Sequence, residues 1–144
     1  MAHVSLNHPK LTLEGAEVVL AAAKNHATRI GCPMNIAIVD DGGHLMAFAR
    51  MDGAKLSSID IALNKAHAAA IRRQATGPAR SGEEVNVLLS LGLAIGSRAQ
   101  QTPIRGGIPL EANGECVGAI GVSAGTEDQD TEVACAGVTA LGKA

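Results

Sequence analysis

The segment RGGIPLEANGECVGAIGVSAGTEDQD, residues 105–130, constrains the fold of this chain more than any other. Asn113-Gly114 stands between two apolar runs. A two-residue type I′ turn needs positive φ at both central positions, which Asn and Gly tolerate, so a β-hairpin is expected here. Its second strand, Cys116 to Ser123, carries Gly118 and Gly121. Glycine weakens a strand, and its presence implies that something approaches the backbone closely. Beyond Ala124-Gly125, Thr126 is a good N-cap, and Glu127 and Asp128 suit the positive end of a helix. The strand is thus expected to run into a last helix at about residues 127–142.

Upstream, Thr12 can cap a helix reaching to about Ile30, where Gly31 and Pro33 stop it. Met34 to Asp40 and His44 to Arg50 read as a hairpin turned by Asp41-Gly42-Gly43. Both strands are apolar on both faces, whereas a half-exposed antiparallel sheet shows polar residues on one. Helices are expected over one face and another subunit over the other. Ser57, with Asp60 at the capping-box position, opens a second helix that runs to about Gln74, before Gly77-Pro78. Ser81 with Glu84 repeats the pattern and predicts a shorter helix. Gly92 and Gly96 then predict irregular chain over residues 90–103. The resulting order, α-β-β-α-α-β-β-β-α, indicates a single α+β domain over residues 1–144 with a mainly antiparallel sheet.

Composition narrows the function. The net charge of −2 gives no basic footprint, and with one Phe and no Trp or Tyr there is no stacking platform, so nucleic acid is not an expected partner. No apolar run approaches the roughly 20 residues of a membrane helix. Three cysteines without a CxxC pair suit a reducing cytosol, so a cytoplasmic protein without membrane attachment is expected.

The residues able to carry chemistry are few. His67 shares the apolar face of the second helix with Ile59, Leu63 and Ile71. It reads as a hydrogen-bonded core or interface histidine, or as an axial ligand or general base. Lys65 lies on a different face and reads as a solvated lysine or a ligand contact. Asp40 ends a strand beside His44, where turn chemistry and acid–base chemistry are both open. His3, His8 and His26 have no metal-ligand spacing, and no metal site is expected. Cys32, Cys116 and Cys135 read as structural. Arg105 is the best cation for a carboxylate, because Gly106-Gly107 would let a ligand reach the backbone. A pocket is therefore expected near the start of the glycine-rich strands, lined by Arg105, Gly106 and Gly107, with Lys65 and His67 from the second helix. Two residues apart, these last two do not share a helix face, so a neighbouring subunit is expected to supply one of them.

Four stretches together resemble the GlcG/HbpS family, the DUF336 or heme-degrading domain: LTLEGAEVVLAAA, IAIVDDGGHLMAFARMDGAKLSSIDIALNKAHAAA, RGGIPL and GECVGAIGVSAGTEDQDTEVACAG. The resemblance implies a profilin-like fold with a central antiparallel five-stranded sheet flanked by helices, and assembly into homo-oligomers. Its members include heme-binding proteins, a protein of glycolate-utilisation operons and the C-terminal domain of some cobalamin adenosyltransferases. His67-Ala68 stands where many relatives read Tyr-Thr, and Ala124 where they commonly have Gly. The resemblance implies a small-molecule ligand, with heme or a tetrapyrrole first. The alternatives are a catabolic enzyme acting on a small carboxylate, with His67 or Asp40 as acid–base group and Arg105 or Lys65 as clamp, and a non-enzymatic accessory protein.

Overall fold

The computed structural model describes residues 3–142. Its helices are α1 (Leu13–Arg29), α2 (Ile59–Arg72), α3 (Val87–Gly96) and α4 (Glu127–Leu141). Its strands are β1 (Asn35–Asp40), β2 (Leu45–Arg50), β3 (Arg80–Ser81), β4 (Glu84–Val85), β5 (Gly107–Ala112) and β6 (Glu115–Ser123). A short 3-10 turn, Leu56–Ser58, leads into α2.

Local chemistry sets most of these limits. The Thr12 hydroxyl accepts a hydrogen bond from the Gly15 N–H at 3.0 Å and caps α1. Thr126 and Gln129 form a reciprocal capping box on α4. Asn113 and Gly114 both have positive φ, 53° and 79°, and close the β5–β6 hairpin as expected.

The main sheet has four antiparallel strands in the order β2-β1-β6-β5, and β3–β4 is a separate hairpin. The expected five-stranded sheet and element order are corrected accordingly. Between residue 104 and α4 two strands form, β5 and β6, where three were expected. Ser81 and Glu84 do not open a helix; they pair with each other across Gly82, whose φ is +65°. The helix begins later, capped by Asn86, whose side chain accepts from the Leu89 N–H at 2.9 Å. It continues through Gly92, over a stretch expected to be irregular.

The inner strands β1 and β6 are covered on both faces by this chain's own helices, whereas the edge strand β2 stays partly exposed. On one face α1 and α4 bury Val19, Ala23 and Val133 against Ile36, Ile38 and Ile120. On the other, α2 lays Ala66, Ala69 and Ala70 on Ala37, Val39 and Ala119. The seam is made of alanine and glycine because α2 lies almost backbone to backbone on β6. A Cβ added at Gly121 would overlap the Ala62 carbonyl oxygen and the Ala66 nitrogen. The close approach expected at this glycine is therefore α2. The second apolar face of β1, expected to be covered by another subunit, is filled within the protomer.

Candidate functional site

The six residues singled out from the sequence fall into three places. Lys65, Gly106 and Gly107 come together. Lys65 is fully buried, which corrects the reading of a solvated lysine. Its Nζ donates to Asp130 Oδ2 and to the Val122 carbonyl, both at 2.8 Å. The other carboxylate oxygen of Asp130 accepts the Gly125 N–H at 3.0 Å. One lysine thus ties α2 to β6 and to the first turn of α4. Gly106, at φ +122°, leaves the space that Nζ occupies; a Cβ there would lie 2.9 Å from it. Gly107 abuts the Lys65 carbonyl and Thr76, whose hydroxyl accepts the Gly107 N–H at 2.9 Å. What the glycine pair accommodates here is packed protein.

Arg105 points away from this cluster. Its guanidinium donates to Asp128 Oδ1 at 2.8 Å, and this bond raises its already high pKa. The Arg105 N–H donates to Glu127 Oε1 at 2.9 Å, so the residue ties the 97–106 connection to the start of α4.

His67 and Asp40 lie at the β1–β2 turn. The Gly43 carbonyl can only accept, so the His67 Nδ1, 3.1 Å away, carries the proton and Nε2 keeps its lone pair. Asp40 Oδ1 accepts the N–H groups of Gly42 and His44, each at 2.9 Å. Burial pushes the Asp40 carboxyl up, but the His44 and Gly42 N–H groups and the His44 ring outweigh it and hold the group below its ordinary value. Asp40 is an Asx-turn carboxylate, ionised at neutral pH and weak as a base.

Two adjoining open grooves are lined by none of these six residues. The first, about 660 Å³, has an apolar wall of Leu11, Val18, Val117 and Leu141. The second, about 710 Å³, carries His8, Lys10, Arg73, Glu115 and Cys116. Lys10 and Glu111 belong to both. His8 Nδ1 bonds Glu115 Oε2 at 3.0 Å, and its Nε2 faces Ser5 Oγ at 3.1 Å. A carboxylate can only accept, so Nδ1 donates to Glu115, and in the neutral ring the Nε2 lone pair accepts from the Ser5 hydroxyl, which a ligand would displace. A carboxylate behind a histidine also raises its basicity as a ligand. Lys10 pairs with Asp41 at 2.9 Å. Arg73, the left-handed C-cap of α2, donates to the carbonyls of Asp41 and Ala70 and lies 3.8 Å from Cys116 Sγ. Cys116 is half-buried, and Cys135, which reads as structural in the sequence, is exposed on α4. The lone pair of His8 was not legible from spacing, because its partner Glu115 is 107 residues away.

Over residues 11–139 the chain matches the family described as "Haem degrading protein HbpS-like". Protein GlcG of Escherichia coli K12 is 34% identical over 114 residues, 78% of this chain and 81% of GlcG. Klebsiella pneumoniae protein ORFY, of family DUF336, superposes with a TM-score of 0.88 at 30% identity, covering 100% of this chain and 99% of ORFY. PduOC, solved as a heme complex, superposes with a TM-score of 0.81 at 26% identity, over 92% of this chain and 95% of that one. The match over residues 11–139 and the 34% identity to GlcG show that the chain belongs to the HbpS-like, or GlcG/HbpS, family.

Proposed function

We propose that this protein binds heme or a related tetrapyrrole in the two grooves that meet at Lys10. The observation that carries the reading is the match to the PduOC heme complex over 92% of this chain. The residues present fit such a group. Leu11, Val18, Val117 and Leu141 offer an apolar wall to a flat macrocycle. His8 offers an imidazole in the ligating tautomer, and Lys10 and Arg73 offer cations to acidic substituents. Bound heme would supply the chemistry of its iron; His8 would hold the iron, Lys10 and Arg73 would pair with acidic substituents, and the apolar wall would cover one face.

His8, instead of His67, is the residue assigned to the iron, because the His67 ring packs beneath the turn at Gly43. A Cβ on Gly43 would lie 2.8 Å from its Cε1. Hemin titration is expected to give a Soret band that saturates near one heme per protomer. The band is lost in His8→Ala and kept in His67→Ala. Absence of saturable binding in the unaltered protein removes the heme reading, and loss in His67→Ala alone returns the site to α2.

The proposal includes self-association, on a surface that the sequence did not single out. α3, Val-Leu-Leu-Ser-Leu-Gly-Leu-Ala-Ile-Gly, has no charged residue, yet Ser90 is its single buried residue. Leu88 is 84% exposed and Ile95 78%. The helix is held by polar bonds: Ser90 Oγ accepts the Ala79 N–H at 2.9 Å and donates to the Asn86 carbonyl at 2.7 Å. A helix apolar around its circumference is ordinarily buried, and an exposed patch of this kind marks an interaction site. Its occupant is taken to be α3 of a second copy, since an isologous contact lets one such surface cover another. Light scattering is expected to give an oligomer for the unaltered chain and 14.6 kDa monomers for the Leu88→Glu, Ile95→Glu double variant. A micromolar monomer without substitution would falsify this.

A further inference from the structure

Ser5, His8 and Glu115 stand in the order of a nucleophile, a base and the group that orients the base. The Ser5 hydroxyl donates to His8 Nε2 at 3.1 Å, and His8 Nδ1 donates to Glu115 Oε2 at 3.0 Å. Asn7, at φ +64°, turns the segment ahead of α1 between Ser5 and His8. The Asn113-Gly114 turn brings Glu115, the first residue of β6, to the same place from the far end of the chain. All three side chains line the groove of about 710 Å³ that also holds Lys10 and Arg73.

We propose that Ser5, His8 and Glu115 are a nucleophile triad that hydrolyses carboxylic esters. A serine hydroxyl is a weak nucleophile until an adjacent base takes its proton, and the base works only in the tautomer whose lone pair faces that hydroxyl. Glu115 fixes this tautomer and balances the imidazolium once it forms. Ser5 Oγ attacks the ester carbonyl carbon, and its proton passes to His8 Nε2. The bond from that carbon to the alcohol oxygen breaks, and the alkoxide takes the proton from Nε2 and leaves as the alcohol. Water then attacks the acyl-serine as His8 accepts its proton. The acyl–Oγ bond breaks, Ser5 takes the proton back from His8, and the carboxylic acid departs. Lys10 and Arg73, on the same groove, are the cations available to the tetrahedral oxyanion. The side chains of His8 and Glu115 are 58% and 51% exposed, so water weakens this stabilisation, and the substrate that fits is an ester with a good leaving group and not an amide. The adjoining wall of Leu11, Val18, Val117 and Leu141 suits an apolar acyl chain. This activity goes beyond the heme reading but uses the same imidazole: heme on Nε2 displaces the Ser5 hydroxyl, so the two occupants exclude each other.

The test is steady-state hydrolysis of p-nitrophenyl butyrate, joined to labelling by a fluorophosphonate that is mapped by peptide mass spectrometry. The unaltered protein is expected to turn over the ester and to carry a single phosphonyl group, on Ser5. Ser5→Ala abolishes the label and slows turnover by about 10²-fold, within the range of base-assisted proton transfer. Glu115→Gln lowers kcat and leaves KM unchanged, because Glu115 acts through His8 and touches no substrate. Both readouts are taken without hemin, and Ser5→Ala keeps the imidazole proposed for the iron, so a failed triad and a failed heme site give different results. Absence of turnover above buffer in the unaltered chain overturns the proposal. So do a label on Cys116 or on a lysine, full turnover in Ser5→Ala, or an unchanged kcat in Glu115→Gln.

Discussion

Lys65→Met is expected to destabilise the fold by about 3–5 kcal/mol, the cost of breaking a buried ion pair by removing one partner. The side chains of Lys65 and Asp130 are 1% and 4% exposed, so water cannot replace the lost contact. Methionine fills much of the lysine volume but leaves a buried carboxylate whose remaining partner is the Gly125 N–H. It also leaves the Val122 carbonyl without its Nζ donor. Asp130→Asn is expected to be comparably damaging, since it strands an ammonium against neutral oxygens. Joining Lys65→Met to Asp130→Leu removes both charges and is expected to cost less than the two single changes added, a coupling that a double-mutant cycle reads directly. Urea denaturation of the unaltered chain, Lys65→Met, Asp130→Leu and the double variant measures it. Single variants within about 0.5 kcal/mol of the unaltered protein, the range of ordinary surface substitutions, would contradict the structural role of the pair.

That pair also shows where sequence reading stops. Asn113-Gly114, Thr12 and Thr126 were legible because each acts on backbone groups within a few residues of itself. Their chemistry is local, and so is the information. Lys65 is different. Nothing within a turn of it distinguishes a buried lysine from a solvated one, because Asp130 is 65 residues away and the opening for its ammonium is made by Gly106. The glycines at 106, 107, 118 and 121 did signal close approach, but not whether a ligand or a helix approaches. The Lys65 carbonyl, the Val39 carbonyl and the α2 backbone fill the places where Cβ atoms would stand at Gly107, Gly118 and Gly121.

α3 fails for the opposite reason. Its two glycines read as breakers, yet nothing lies within 4 Å of a Cβ added at Gly92 or Gly96, and the helix tolerates them as weak points. The family resemblance was legible because it rests on four ordered blocks. The grooves at His8 were not, because the segment ahead of α1 reaches them through contacts with the distant β5–β6 hairpin and, at Lys10, with Asp41 of the β1–β2 turn.

Gly121→Val should lower stability by about 3 kcal/mol, at or beyond the upper end of ordinary overpacking. Two effects oppose each other. Strand propensity favours valine over glycine, on a scale that spans about 1 kcal/mol. Against it, the first added carbon would already overlap the Ala62 carbonyl oxygen and the Ala66 nitrogen and stand 2.9 Å from the Ala66 Cβ. These are backbone atoms of a helix, so no side-chain rotation relieves them; α2 must lift from β6. Lifting it would expose the seam of Ala66, Ala69 and Ala70 against Ala37 and Ala119. Overpacking therefore wins. Gly92→Ala is the internal contrast, a helical position with open space around it, where alanine is expected to add about 0.5–1 kcal/mol. Thermal unfolding of both variants separates the cases. A Gly121→Val protein that melts at or above the unaltered temperature would mean that α2 does not lie on β6 as closely as the geometry requires.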